Sequence, residues 1–278
     1  MDLDQIKSKL NNLQNASKGS GEKKDYSKIF WSPKIGEHEI RIVPSAYNQN
    51  NPFTEIKVYY GIGPNKVMIS PLNFGEKDPI FLFAEGLKKE YNKENYYIAK
   101  KLEPKTRIFV PVIVRGEEEK GVRLWQFGKS IYEELLGMAI DDEIGDYTDI
   151  TSGRDIKLTT VGPDVTKTAY NKTTIRPKMK TSKLSSNKEE VELWLSEQPD
   201  PMEQFKKYTF DEMKDSLQKW LYPESQDDEQ PVIDDDEDDD LNLDRNIKAS
   251  PKNKFVPKQN KKDEWKELFS EDEDENDD

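Results

Sequence analysis

Charge divides this chain at Pro223. The 55 residues beyond it hold 22 acidic and 8 basic side chains, among them DDDEDDD at 234–240 and an acidic tip at 271–278. Like charges at this density repel one another, and too little apolar surface is present to offset the entropy of ordering. Residues 224–278 are therefore expected to form a disordered acidic tail. The first 223 residues hold 34 acidic and 35 basic side chains, a net of +1. The overall charge of −13 and the pI near 4.9 describe the tail rather than the body. With 33% hydrophobic residues in the whole chain, any packed core has to come from before Pro223.

Residue types then remove several classes of function. The chain has no cysteine, which excludes disulfides, thiolate metal sites and cysteine nucleophiles, and fits a reducing compartment such as cytoplasm. Its one histidine, His38, opens a predicted strand, so neither a His-rich metal site nor a Ser-His-Asp triad is expected. No stretch approaches the roughly 18 apolar residues of a membrane span, and MDLDQIKSKL lacks the basic start and apolar run of a secretory signal. P-loop, GxGxxG, GxSxG and HExxH motifs are absent; Gly61-Ile62-Gly63 before Pro64 is a turn. Asp141, Asp142, Glu143 and Asp146 are close enough in sequence to hold magnesium for a nuclease. An acidic loop closing a helix gives the same pattern.

Periodicity sets out the rest. Leu3, Ile6, Leu10 and Leu13 mark a narrow amphipathic helix before the basic ASKGSGEKK, so residues 1–25 read as an arm that packs on something else. Strands are predicted at Glu39–Val43, Thr54–Tyr60, Lys66–Ser70, Arg107–Arg115, Gly121–Phe127 and Asp155–Val161. Arg107–Arg115 is continuously apolar, as for a strand buried on both faces, and its Pro111 suggests a bulge or an edge position. Helices are predicted at Ile80–Asn92, opened by Asp78 and Pro79, and at Lys129–Ala139. After a linker, KTSKLSSN, two more amphipathic helices follow at Lys188–Glu197 and Thr209–Leu221. The expected fold is mainly β with peripheral helices: a partly open five-stranded barrel of the OB type. That barrel spans 26–180, with an inserted helical subdomain around 71–95 and C-terminal helices at 181–223 packing on it. An antiparallel sandwich is the competing architecture.

Basic residues in the body gather around aromatic ones. Lys88–Arg115 has eight basic side chains against three acidic, around Tyr91, Tyr96, Tyr97 and Phe109. Asp164–Lys183 has six against one, around Tyr170. Cations neutralise phosphates, and flat rings stack on unpaired bases at about 1–3 kcal/mol per base, so this interleaving suits single-stranded nucleic acid. A solvated charged face over ordinary core tyrosines has the same composition.

Several short blocks then occur in a telling order. IRIVPS (40–45) leads through an Asn-rich loop to Pro52-Phe53, followed by YYIAKKLEPKTR (96–107) and FVPVIV (109–114). GVRLWQFGKSIY (121–132) and DEIGD (142–146) come next. This order resembles the helix-destabilising single-stranded-DNA-binding protein family of T-even-type phages. The resemblance covers about Phe30 to Arg176, and its plan extends to the arm and the tail. It implies an OB-fold groove that coats and protects single-stranded DNA without sequence preference during phage DNA replication, recombination and repair. It also implies an arm that self-associates along the strand, and an acidic tail that recruits replication and recombination proteins and competes with DNA for the groove. No enzymatic activity is implied, and the setting would be the host-cell cytoplasm. The family's best-known member has a zinc-binding subdomain of histidine and cysteines between the second and third strand blocks. The corresponding segment here, 70–90, has neither residue type, so no zinc or other cofactor is expected. Ile80, Phe81, Leu82, Phe83 and Leu87 are expected to supply the packing instead.

Carried over position by position, the resemblance puts Arg41 on an early groove strand and Tyr96, Tyr97, Lys100 and Lys101 in a tyrosine-then-basic segment. It puts Lys105 and Arg107 before the buried strand, Trp125 and Lys129 at the strand-to-helix signature, and Tyr170 in a late loop. Charge and aromatic placement add Tyr59, Tyr60, Arg123, Lys172 and Arg176. Trp125, Tyr97 and Tyr170 are expected to stack on bases; a core position is the competing reading for Trp125. In the tail, Trp265, Leu268 and Phe269 fall at i, i+3 and i+4 and suit a short helix docking in a partner's groove. The rival function is an acidic adaptor or chaperone for basic partners.

Overall fold

The structure, a computed structural model, describes residues 26–222 apart from 49, 64–66 and 90–91. The arm and the tail, with Trp265, Leu268 and Phe269, lie outside the described residues. The strands are β1 (Phe30–Trp31), β2 (Gly36–Ile42), β3 (Thr54–Tyr60), β4 (Val67–Ile69), β5 (Lys105–Val114), β6 (Arg123–Phe127), β7 (Arg154–Val161) and β8 (Lys172–Thr181). They form one sheet in the order β1-β6-β5-β2-β7-β8, with β3 and β4 branching from β5, and the sheet is not closed. Only β1 and β6 run parallel.

β5 organises this sheet. Every residue from Ile108 to Val114 is buried, as a continuous apolar run requires. β6 lies along one side, while the other side carries β3 on its first half and β2 on its second. Pro111 therefore sits neither in a bulge nor at an edge, contrary to expectation. Its carbonyl accepts from the Val43 N–H at 3.0 Å, where β3 has ended and β2 is ending. The N and O of one strand residue face the same neighbour, so the missing N–H lies on this side as well, opposite Val43 just past the end of β2.

Register gives the sheet two faces. The inner face carries Ile40, Ile42, Ile108, Val110, Val112, Trp125, Phe127, Ile156, Leu158 and Ile175, packed with Phe53, Leu135 and Tyr147 into the main core. On the outer face, Val43, Ile113 and Val122 pack under Leu184 and Trp194, and Ile56, Val58, Phe109 and Leu124 under Met202 and Phe205.

The helices are α1 (Pro79–Lys89), α2 (Lys93–Lys101), α3 (Lys129–Ala139), the single turn α4 (Pro163–Thr166), α5 (Lys188–Ser196) and α6 (Phe210–Leu221). Asp78 caps α1 by accepting from the Ile80 and Phe81 N–H groups. Asn92 caps α2, Asn187 caps α5, and Thr209 with Glu212 forms a capping box on α6. α1, α2 and α6 enclose a second core with Tyr59, Ile62 and Met68, which shares no residue with the main one.

Candidate nucleic-acid interface

Four of the expected contact residues are inside the protein. Trp125 has 0% of its surface exposed, with the Phe127 ring 4.6 Å and the Trp31 ring 6.1 Å from its own centroid. A ring enclosed this way has no face for a base, so the expected stacking role is replaced by a core role. Arg123 points to the same inner side of β6 and is buried, with its guanidinium 2.7 Å from Glu117. Tyr59 is buried in the second core, its hydroxyl donating to Asp78 at 2.9 Å. Burial and the neighbouring Asp78 carboxylate push that phenol far above its ordinary range.

Arg41 is the fourth. It is fully buried and donates to Asp155 Oδ1 at 3.2 Å, to the Asp149 carbonyl at 3.0 Å and to the Ser182 carbonyl at 2.6 Å. Arg115 shares the same Asp155 oxygen at 2.8 Å. Burial lowers the Arg41 pKa, and the charge of Asp155 opposes that shift. Instead of meeting phosphate, the guanidinium ties β2 to β7 and to the chain leaving β8.

α2 presents the opposite case. Asn95, Ile98, Ala99 and Leu102 are buried, and this i, i+3, i+4, i+7 spacing turns the other side of the helix outward. Tyr96 and Tyr97 are 55% and 54% exposed, with rings edge to face at 5.9 Å. Lys100 and Lys101 are exposed beside them, and Lys93 Nζ lies 6.0 Å from the Tyr97 ring centroid. Lys93 is a member of this group that the sequence expectation leaves out, although its position four residues before Tyr97 is the available signal.

The chain runs from α2 directly into β5. Lys105 and Arg107 are half-buried there, opposite Val58 and Ile56, so both face the outer side of the sheet. Arg107 donates to the Tyr60 hydroxyl at 2.9 Å and its charge lies 5.4 Å from that ring's centroid. A cation over a half-buried aromatic forms a fixed, positively charged surface.

A second basic surface lies at the far end of the sheet. Arg176 is opposite Lys157, which is opposite Glu39, and Lys172 is opposite Val161. Followed through β2 to β5, this register puts Arg176 on the same outer side as Arg107. Lys157 is paired with Glu37 at 2.8 Å and Lys178 with Glu39 at 2.5 Å. Lys172 and Arg176 are exposed and have no ion pair among the described residues. Tyr170, half-buried just before β8, accepts through its carbonyl from Thr166 and Thr168. Lys129, exposed at the start of α3, is 3.5 Å from Glu133. Arg107, with Tyr60 against it, and Lys105 thus stand where the chain leaves α2 for β5, whereas Tyr170, Lys172 and Arg176 lie on or beside the edge strand β8. The outer-face cover from Leu184 to Phe205 packs on residues of β3, β4, β5 and β6 and on Val43 just past β2.

The acidic group after α3 is a set of local loop contacts. Asp141 accepts from the Glu143 N–H, and Asp146 from the N–H and hydroxyl of Thr148. Among the described residues, no group of three or more His, Cys, Asp or Glu side chains is placed to share a metal ion.

A family model described as gp32 DNA binding protein like matches residues 34–233, which take in the strands from β2 onward and all the helices named above. None of the curated proteins compared with the chain matches it.

Proposed function

Because this chain belongs to the gp32-like DNA-binding protein family, we propose that it coats single-stranded DNA without sequence preference and acts as a binding protein rather than an enzyme. The observation that carries this reading is the exposed Tyr96–Tyr97 pair on α2, flanked by Lys93, Lys100 and Lys101. Two adjacent rings offer π-faces to successive bases whatever their identity, and the lysines meet the phosphates. Lys105, Arg107 and Tyr60 extend the path along β5, and Lys172 and Arg176 give a second set of phosphate contacts. The open sheet around β5 is read as an OB-type scaffold.

The reading extends to the termini. Residues 1–25 contact a neighbouring copy along the strand, and the acidic tail at 224–278 recruits replication and recombination proteins. With a net charge of −14, the tail also competes with DNA for the cationic surface. The setting is phage DNA replication, recombination and repair in the host-cell cytoplasm.

Fluorescence anisotropy with labelled poly-dT and a duplex of equal length tests this, using the full chain and a version ending at Pro223. Strong preference for poly-dT, tightened by removal of the tail, is the expected result. Equal affinity for both DNAs would remove the single-strand reading, and unchanged affinity after truncation would remove the competition.

A further inference from the structure

The zinc-binding subdomain of the family's best-known member has its counterpart here in the segment joining β4 to β5, and the residues present do not fit a zinc ion. The polar centre of this segment is Asp78, and both of its oxygens are already occupied. Oδ1 accepts from the Ile80 and Phe81 N–H groups at 3.0 and 3.1 Å, and Oδ2 accepts from the hydroxyls of Tyr59 at 2.9 Å and Ser70 at 2.5 Å. No thiol or imidazole lies anywhere between residues 39 and 278, whereas tetrahedral structural zinc takes cysteine and histidine.

We propose that this subdomain is held together without metal, by the Asp78 knot on one side and by α6 on the other, and that α6 thereby positions the tyrosine pair of α2. Met213, Leu217 and Leu221 of α6 are buried together with Phe83, Ala84 and Leu87 of α1 and with Ile98 and Ala99 of α2. The approach to α6 is fastened as well: Lys207 makes an ion pair with Glu76 and lies 4.6 Å from the Phe74 ring centroid. α1 has 11 residues and α2 has 9, and helices this short are marginal in water without tertiary packing. Their shared core is distinct from the sheet core. The docking of α6 therefore decides whether Tyr96 and Tyr97 are held on a fixed surface. The link to binding rests on the single-strand reading above; the metal-free assembly does not.

Hydrogen exchange by mass spectrometry on the full chain, paired with poly-dT anisotropy, tests this with Leu217→Ala and Asp78→Ala. Each variant is expected to speed exchange across 79–101 by about tenfold or more while β5 and β6 keep their protection. Poly-dT affinity should fall by a similar factor, because only the docked fraction binds. Leu217→Met, which nearly conserves volume, should restore both readouts. Neither added zinc chloride nor EDTA should alter the exchange of 79–101. Unchanged exchange there in Leu217→Ala, equal loss of protection in the sheet, or a response to EDTA would each overturn the proposal. If the wild-type chain fails to bind poly-dT, the single-strand reading falls, and the exchange data alone still decide whether α6 holds the subdomain.

Discussion

β6 and α2 look alike in composition and have opposite fates. RLWQF on β6 and KENYYIAKK on α2 both mix cations with aromatic rings. Every residue of β6 is buried, because α3 and Tyr147 cover its inner side and the segment from Leu184 to Phe205 covers its outer side. On α2 only one side is covered, and both tyrosines stand in solvent. Mixed composition thus does not distinguish a stacking platform from a core. Whether a second layer lies over the element does.

The largest effect expected from this contrast belongs to Trp125. Trp125→Ala should cost about 3–5 kcal/mol of folding stability in urea melts, while the molecules that remain folded keep wild-type affinity for poly-dT. A stable variant with weakened binding would place the ring in the interface after all. Tyr97→Ala should do the reverse: about 1–3 kcal/mol weaker poly-dT binding by anisotropy, with the melting curve unmoved.

A smaller effect separates the two basic surfaces. Substituting alanine for both Lys172 and Arg176 should flatten the log–log salt dependence of poly-dT binding by about 0.7 for each phosphate that is no longer neutralised. An unchanged slope would confine the DNA path to α2 and β5.

The smallest concerns the support under Arg41. The Asp149 carboxylate accepts from the N–H and hydroxyl groups of both Thr151 and Ser152, which hold its pKa well below the usual carboxylate range. A depressed pKa contributes stability above the unfolded value and loses it as pH falls. Asp149→Asn should therefore make the acid limb of a pH–stability curve shallower below about pH 4. An acid limb identical to wild type would mean that this turn does not matter to the network.

Much of the fold is legible in the sequence because local signals agree with it. The Asp78-Pro79 start of α1, the apolar spacing of α6 and the uninterrupted β5 each depend on neighbours in sequence. α2 gives no clear helical signal, because Asn95, Ile98 and Ala99 are its only buried residues and its tyrosines face outward. β8 escapes for a similar reason: in KTTIRPKMKT only Ile175 is buried. The four site residues found inside the protein depend on long-range structure. Arg41 meets Asp149, Asp155 and Ser182, more than 100 positions away, and nothing near it in sequence shows that those partners exist.

Among the described residues β8 has β7 on one side and no strand on the other. A ten-residue open edge is a template on which another chain can add a strand. Here it carries Lys172, Arg176, Lys178 and Lys180 along with Pro177. Two such edges repel each other, and the proline denies one backbone donor. The features that discourage copies of this protein from aggregating through their sheets thus include Lys172 and Arg176, the two cations proposed above to meet phosphate. On that proposal, neutralising them should cost solubility at high concentration as well as poly-dT affinity, so that one strand would govern both colloidal behaviour and binding.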